Sequence, residues 1–156
     1  MLEHQNSRRA FLGGIAGVGA SAAISSSASA QSSYVVNDPN VVQEIEALFA
    51  NYNSALRSND VAALNGYFLD SPLIVRFGNS ENLYGLEEIK AYRASVSTGP
   101  SVVREHTVIT TYGNDFATVA ARNRAVAGRI GRTMQTWVRF PQGWRIVAAH
   151  VSAIDE

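Results

Sequence analysis

The sequence predicts a segregated α+β fold, with helices packed on a curved, mostly antiparallel sheet. Three observations predict it. Apolar residues recur at helical spacing only between residues 38 and 95, four β-rich runs replace that period from residue 102 onward, and the breaks between those runs carry turn chemistry short enough for hairpins. Helices first and strands afterwards is the order of a layered α+β domain, not of an alternating α/β one.

In chain order, residues 1–30 stand apart. Ser7-Arg8-Arg9-Ala10-Phe11-Leu12 precedes a Gly/Ala-rich, weakly apolar stretch, and Ala28-Ser29-Ala30 ends it before Gln31. These are the parts of a twin-arginine export signal, and the apolar stretch is shorter than the ~20 residues a spanning helix needs. Export to the periplasm is the expectation, with no membrane association after cleavage. Residues 31–37 read as a short disordered leader.

Asp38-Pro39 supplies an N-cap and a first-turn proline. Val41, Val42, Ile45, Leu48, Phe49, Tyr52 and Leu56 then repeat at helical spacing, ending near Ser58. Asp60 caps a second helix through Leu64 to Phe68, and Ser71-Pro72 breaks it. Leu73 to Phe77 is a strand closed by Gly78, and a third helix follows from about Leu86 to Ser95 with Ile89 and Tyr92 inward. Strands are expected over 102–112, 116–126, 133–140 and 144–154, separated by Gly113-Asn114-Asp115, by the glycines at 128 and 131, and by Pro141-Gln142-Gly143. The long helix should cross the concave face of the sheet, in one domain over residues 38–156.

Composition narrows the chemistry. Thirteen basic residues balance thirteen acidic ones, and no basic run lies outside the N-terminus, which argues against nucleic acid and anionic membranes as partners. There is no cysteine, hence no thiol nucleophile and no thiolate metal site. No H-E-x-x-H, no carboxylate cluster and no histidine pair at metal spacing occurs, so a metal centre is not expected. Twelve of the thirteen basic residues are arginine, the side chain that grips carboxylates in a bidentate way.

Several residues could carry chemistry. Tyr52 lies on the apolar stripe of the first helix, and spacing admits either a core tyrosine bonded to a backbone carbonyl or a pocket hydroxyl. Arg76 lies in an apolar strand whose alternation pairs it with Ile74, a costly place for a guanidinium unless it is partnered. His150 and Ser152 alternate with Trp144, Ile146 and Ala148, so all five should share one face, with His150 first a buried histidine satisfied by its neighbours and second a substrate contact. If Arg139 pairs with Trp144 across the last hairpin, Gln135 and Trp137 join that face, and this is the register expected here; a slip of one residue reverses it. Arg104 shares a strand face with His106 and is open between surface and ligand. Arg122 and Arg124 read as surface or interface groups.

The element order and the closing run from Gly143 to Ser152 resemble the NTF2-like superfamily, whose members form a cone with an internal pocket. Within it, Asp70-Ser71-Pro72 leading into Val75-Arg76-Phe77-Gly78, then Glu81-Asn82-Leu83-Tyr84-Gly85, Gly128 to Arg132 and Gln135 to Arg139 resemble the AtzH-like group. That group includes a decarboxylating amidohydrolase acting on dicarboxyurea. The resemblance implies a small hydrolase without cofactor, acting on a small anionic ureido or amide compound. It makes Tyr52 an acid/base residue and Arg76 a carboxylate clamp, with Gln135, His150, Ser152, Tyr84 and Arg104 in contact with substrate. It also implies a homodimer. The alternative is a non-catalytic periplasmic module that captures a small carboxylate in the same pocket.

Overall fold

A computed structural model of the chain describes residues 35–100, 102–125 and 129–155. The expected signal over residues 1–30 and the start of the leader lie outside the described residues. No described helix is long and apolar enough to cross a membrane.

Helix α1 spans Pro39–Ser58. Asp38 caps it, its side chain accepting a hydrogen bond from the Asn40 amide at 2.9 Å, and Asn59 ends it in the left-handed region at φ 52°. Val41, Ile45, Phe49 and Tyr52 are its buried stripe. Helix α2, Val61–Gly66, is capped by the Asp60 side chain on the Ala63 amide at 3.0 Å. It stops before Phe68, which instead bridges to Ile146. Strands β1, Val75–Phe77, and β2, Asn82–Tyr84, precede helix α3, Gly85–Ser95. The sequence does not announce β2, because three residues carry no measurable alternation. Strands β3, Val102–Tyr112, β4, Phe116–Ala125, β5, Ile130–Phe140, and β6, Gly143–Ile154, complete the chain.

One six-stranded sheet runs β2-β1-β6-β5-β4-β3. Every pairing is antiparallel except β1 with β6, which is parallel. The helices pack on one face of this curved sheet, as the α+β reading expects. The end of the leader is ordered rather than loose: Val36 bridges to Tyr112, and the Asn37 amide donates to the Thr111 carbonyl at 3.0 Å. Disorder was the wrong expectation for residues 35–37, since the free edge of β3 offers their backbone groups partners that a solvated tail would lack.

Arg139 pairs with Trp144, the expected hairpin register. Gln135 and Trp137 therefore face the helices and are buried. Two β-bulges then decide which residues reach the interior. In β6, Thr136 pairs with Ala148 while Trp137 pairs with Ile146, leaving Val147 as a surplus residue. Trp144 and Ile146 point inward before the bulge, and Ala149, Val151 and Ala153 do so after it. In β3 the pairing steps from Arg104 to His106, with Glu105 as the surplus. Arg104 is thereby on the inner face opposite Asn123, and His106 is on the outer face opposite Arg122.

The core lies between α1 and the sheet and is built of Ile45, Phe49, Tyr52, Leu64, Ile89, Val119, Trp137 and Ile146. Tyr67 stands edge-on to both Tyr52 and Trp137, with centroids 5.5 and 6.1 Å away. Such contacts each add about 1 kcal/mol to simple burial.

Candidate functional site

Where α1 and α3 leave the sheet uncovered, a cavity of about 460 Å³ opens. Tyr52 and Leu56 of α1, Tyr92 and Arg93 of α3, Arg76 of β1 and the 79–81 turn line it, together with Arg104, Asn123, Thr133, Val151 and the segment 98–100. Three guanidinium groups thus share one cavity, and Glu81 is the sole carboxylate among the described lining residues.

Each cation is held differently. Arg76 is 5 % exposed; its Nη1 donates to Glu81 Oε1 at 2.5 Å, and its charged carbon lies 4.8 Å from the Tyr92 ring centre. Glu81 is locked in turn by the Ser80 amide and hydroxyl, which both donate to its Oε2. Burial works to raise the Glu81 pKa, but the bond and charge of Arg76 and the Ser80 contacts outweigh it and hold the carboxyl below its ordinary range. Gly78 makes room for this, since a Cβ there would collide with the Glu81 carboxylate.

Arg104 is gripped by neutral oxygens. Its Nε and Nη2 donate to Asn53 Oδ1, and its Nη1 donates to Asn123 Oδ1 and to Thr133 Oγ1. Burial lowers its pKa, with Arg57 adding to the effect against an opposing contribution from Tyr52. Arg93 is 5 % exposed. Its Nη2 donates to the Tyr52 hydroxyl oxygen at 3.3 Å, and its Nε is buried without a hydrogen-bond partner. Tyr52 accepts that bond, so its own proton stays free to point at a ligand.

The seven expected site residues divide. Tyr52, Arg76 and Arg104 line the cavity together. Gln135 is 1 % exposed and does not line the cavity; its Oε1 accepts from Trp137 Nε1 at 3.1 Å. His150 is exposed on the outer face, opposite Met134 and edge-on to Phe77. The shared face expected for Trp144, Ile146, Ala148, His150 and Ser152 is interrupted by the Val147 bulge, which inverts the alternation for the rest of β6. Ser152 borders the cavity, yet its register sets it opposite outward-facing Arg132. Tyr84 is 58 % exposed and caps α3 from outside the cavity, because Leu83, its neighbour in β2, is the residue opposite Arg76. The pairing of Arg104 with His106 on one face fails at the Glu105 bulge. Arg122 and Arg124 are surface groups as expected, both bridged by Glu105.

Sequence reasoning missed Arg93, Glu81, Asn53 and Asn123. Arg93 had a signal: Leu86, Ile89 and Arg93 fall at i, i+3 and i+7, so an arginine continues the buried stripe of α3. Asn53 neighbours Tyr52 on the buried side of α1. Asn123 also had a signal, since it continues the buried alternation of Ala117, Val119 and Ala121 in β4, whereas Glu81 depends on a turn that alternation does not reveal.

The AtzH-like family model matches residues 34–156. Among solved structures, a protein of unknown function from the DUF3225 family of Pectobacterium atrosepticum is 45% identical, with 77% of this chain and 95% of that one covered and a TM-score of 0.74. A cystatin-like fold protein from Burkholderia xenovorans is 43% identical, with 79% and 98% covered and a TM-score of 0.76. An NTF2-like protein of unknown function from Pseudomonas putida shares the fold at 19% identity and a TM-score of 0.65, with 75% and 89% covered. No curated protein matches the chain.

Proposed function

The chain belongs to the AtzH-like family of the NTF2-like superfamily, and from that premise we propose that it is a small hydrolase of the decarboxylating amidohydrolase type, acting on a small anionic ureido or amide compound. The observation that carries this reading is that Tyr52 and Arg76 line one cavity, with the Tyr52 proton left free by the bond from Arg93. Glu81 occupies only Nη1 of Arg76. The Nε and Nη2 edge is therefore left for a ligand oxygen, which it would hold and polarise.

In the proposed reaction water adds to the amide carbonyl and the C–N bond breaks. The leaving nitrogen takes the Tyr52 proton, and the tyrosine oxygen recovers a proton from the attacking water while facing the Arg93 charge. Where the released group is a carbamate, it loses carbon dioxide. No step requires a cofactor. Turnover of a dicarboxyurea-type substrate tests the reading: Tyr52→Phe and Arg76→Met are each expected to lower kcat at least 100-fold with the fold intact by circular dichroism. Unchanged kcat in both would refute it.

A second reading, a carboxylate-binding module without chemistry, is favoured by one fact. Arg76 already carries a carboxylate, as a resting binding site would. Calorimetry beside a product assay separates the two, since heat of binding with no product supports the module.

The proposal places the protein in the periplasm, on the strength of the twin-arginine motif at residues 7–12. It also includes a homodimer formed through the outer sheet face, where Val108, Tyr112, Phe116, Met134 and Ile154 are exposed apolar groups. Met134→Glu is expected to convert a dimer to monomer in light scattering at micromolar concentration; a wild-type monomer at all concentrations would reject this part.

A further inference from the structure

The three cavity cations are not equivalent, and the difference tells which of them receives the acidic group of a ligand. Arg76 has its charge met by Glu81. Arg104 spends four of its five N–H donors on side-chain oxygens of Asn53, Asn123 and Thr133. Arg93 has no acid partner among the described residues: it makes one long bond to a hydroxyl, its charged carbon lies 5.8 Å from the Tyr92 ring centre, and its Nε is buried with no hydrogen-bond partner. A charged donor withdrawn from water and left unmatched is uncommon in a folded protein and calls for a partner that arrives from outside. Its free Nε lies on the same guanidinium edge as Nη2, the edge that accepts a carboxylate side-on with two parallel bonds.

We propose that Arg93, and not Arg76, is the residue that binds the ligand's carboxylate. The carboxylate takes Nε and Nη2 of Arg93, while Arg76, neutralised by Glu81, meets an uncharged carbonyl oxygen and the Tyr52 proton stays available to the leaving nitrogen. This rests on the reading of the cavity as a site for small anionic amides and makes it specific: the preferred ligand is a carboxylate joined to an amide or ureido carbonyl, oriented with its acidic end toward α3. A small side-chain adjustment of Arg93 is required, because its Nε is buried.

The test uses oxamate, a carboxylate directly joined to an amide, in calorimetry with the wild type, Arg93→Met, Arg93→Lys and Arg76→Met, alongside the thermal midpoint of each. Oxamate affinity is expected to fall at least 10-fold in Arg93→Met and several-fold in Arg93→Lys, which keeps a charge but loses the side-on edge. Arg76→Met should lose less than either. The unliganded midpoint of Arg93→Met should not fall, since the variant removes a charge without an acid partner; a purely structural arginine would give a lower midpoint with affinity unchanged. Wild-type affinity in both Arg93 variants, a larger loss in Arg76→Met, or no oxamate binding by the wild type overturns the proposal. Should Arg93→Met not fold, Arg93→Lys alone decides by the same criteria. Turnover measured in parallel separates the two levels: catalysis with Arg93-independent binding leaves the hydrolase standing and removes this inference, and Arg93-dependent binding without catalysis does the reverse.

Discussion

Trp137→Ala is expected to destabilise the domain by about 3–5 kcal/mol, the cost of emptying a large aromatic site in a close-packed core. Trp137 is wholly buried, its ring meets the edge of Tyr67, and its Nε1 satisfies Gln135. The substitution therefore removes apolar volume and leaves a buried amide oxygen unpaired, a further cost of about 1 kcal/mol or more. Against a total stability of roughly 5–15 kcal/mol, this is enough to unfold a noticeable fraction of the protein at ordinary temperature. Urea denaturation checks it. Trp137→Phe should lose less than half as much, because it keeps most of the volume. A loss under about 1 kcal/mol in Trp137→Ala would mean that α1 and the sheet do not pack around this ring.

Glu81→Gln is expected to cost about 3 kcal/mol at neutral pH, because it leaves the Arg76 guanidinium buried without its counter-charge. The penalty depends on pH with a definite sign. The folded-state pKa of Glu81 lies below its ordinary value, so the pairing contributes fully above the unfolded carboxylate pKa of about 4.3 and is lost as pH falls through the lower, folded value. The stability difference between wild type and Glu81→Gln should therefore be flat from pH 7 to about 5 and shrink below about pH 4. Glu81→Ala adds a second check, since it leaves a vacancy of carboxylate shape, and formate at tens of millimolar should recover part of the loss. A difference that does not vary with pH, or no effect of formate, would mean that the pair contributes nothing.

Much of this architecture is legible in the sequence because it follows from period and punctuation. The caps at Asp38 and Asp60, the break at Ser71-Pro72 and the four long strands are local signals, and tertiary packing agrees with each. Arg76 was readable too: strict alternation beside Ile74 put it on the inner face, where both are buried. The pocket was harder because three of its determinants are non-local. The turn at 78–81 bends Glu81 back onto Arg76, and no periodicity encodes a contact of that kind. The bulge at Glu105 settles Arg104 on the inner face and parts it from His106, the bulge at Val147 turns His150 outward, and neither bulge carries a glycine that would mark it. Arg93 is visible as a charged residue on an apolar stripe, but helical spacing from Ile89 fits Tyr92, one position away, equally well.

The surplus residue at Val147 also bears on how roles can be passed between relatives. Beyond that point the inward residues of β6 are Ala149, Val151 and Ala153, of which Val151 and Ala153 line the cavity. A homologous strand of the same length without the surplus would instead present the residues aligned with Ala148, His150 and Ser152. Two chains can then match in every alignment column of this strand and still offer different chemistry to the same ligand, one aliphatic and the other imidazole and hydroxyl. A histidine in that column identifies nothing until the bulge has been located.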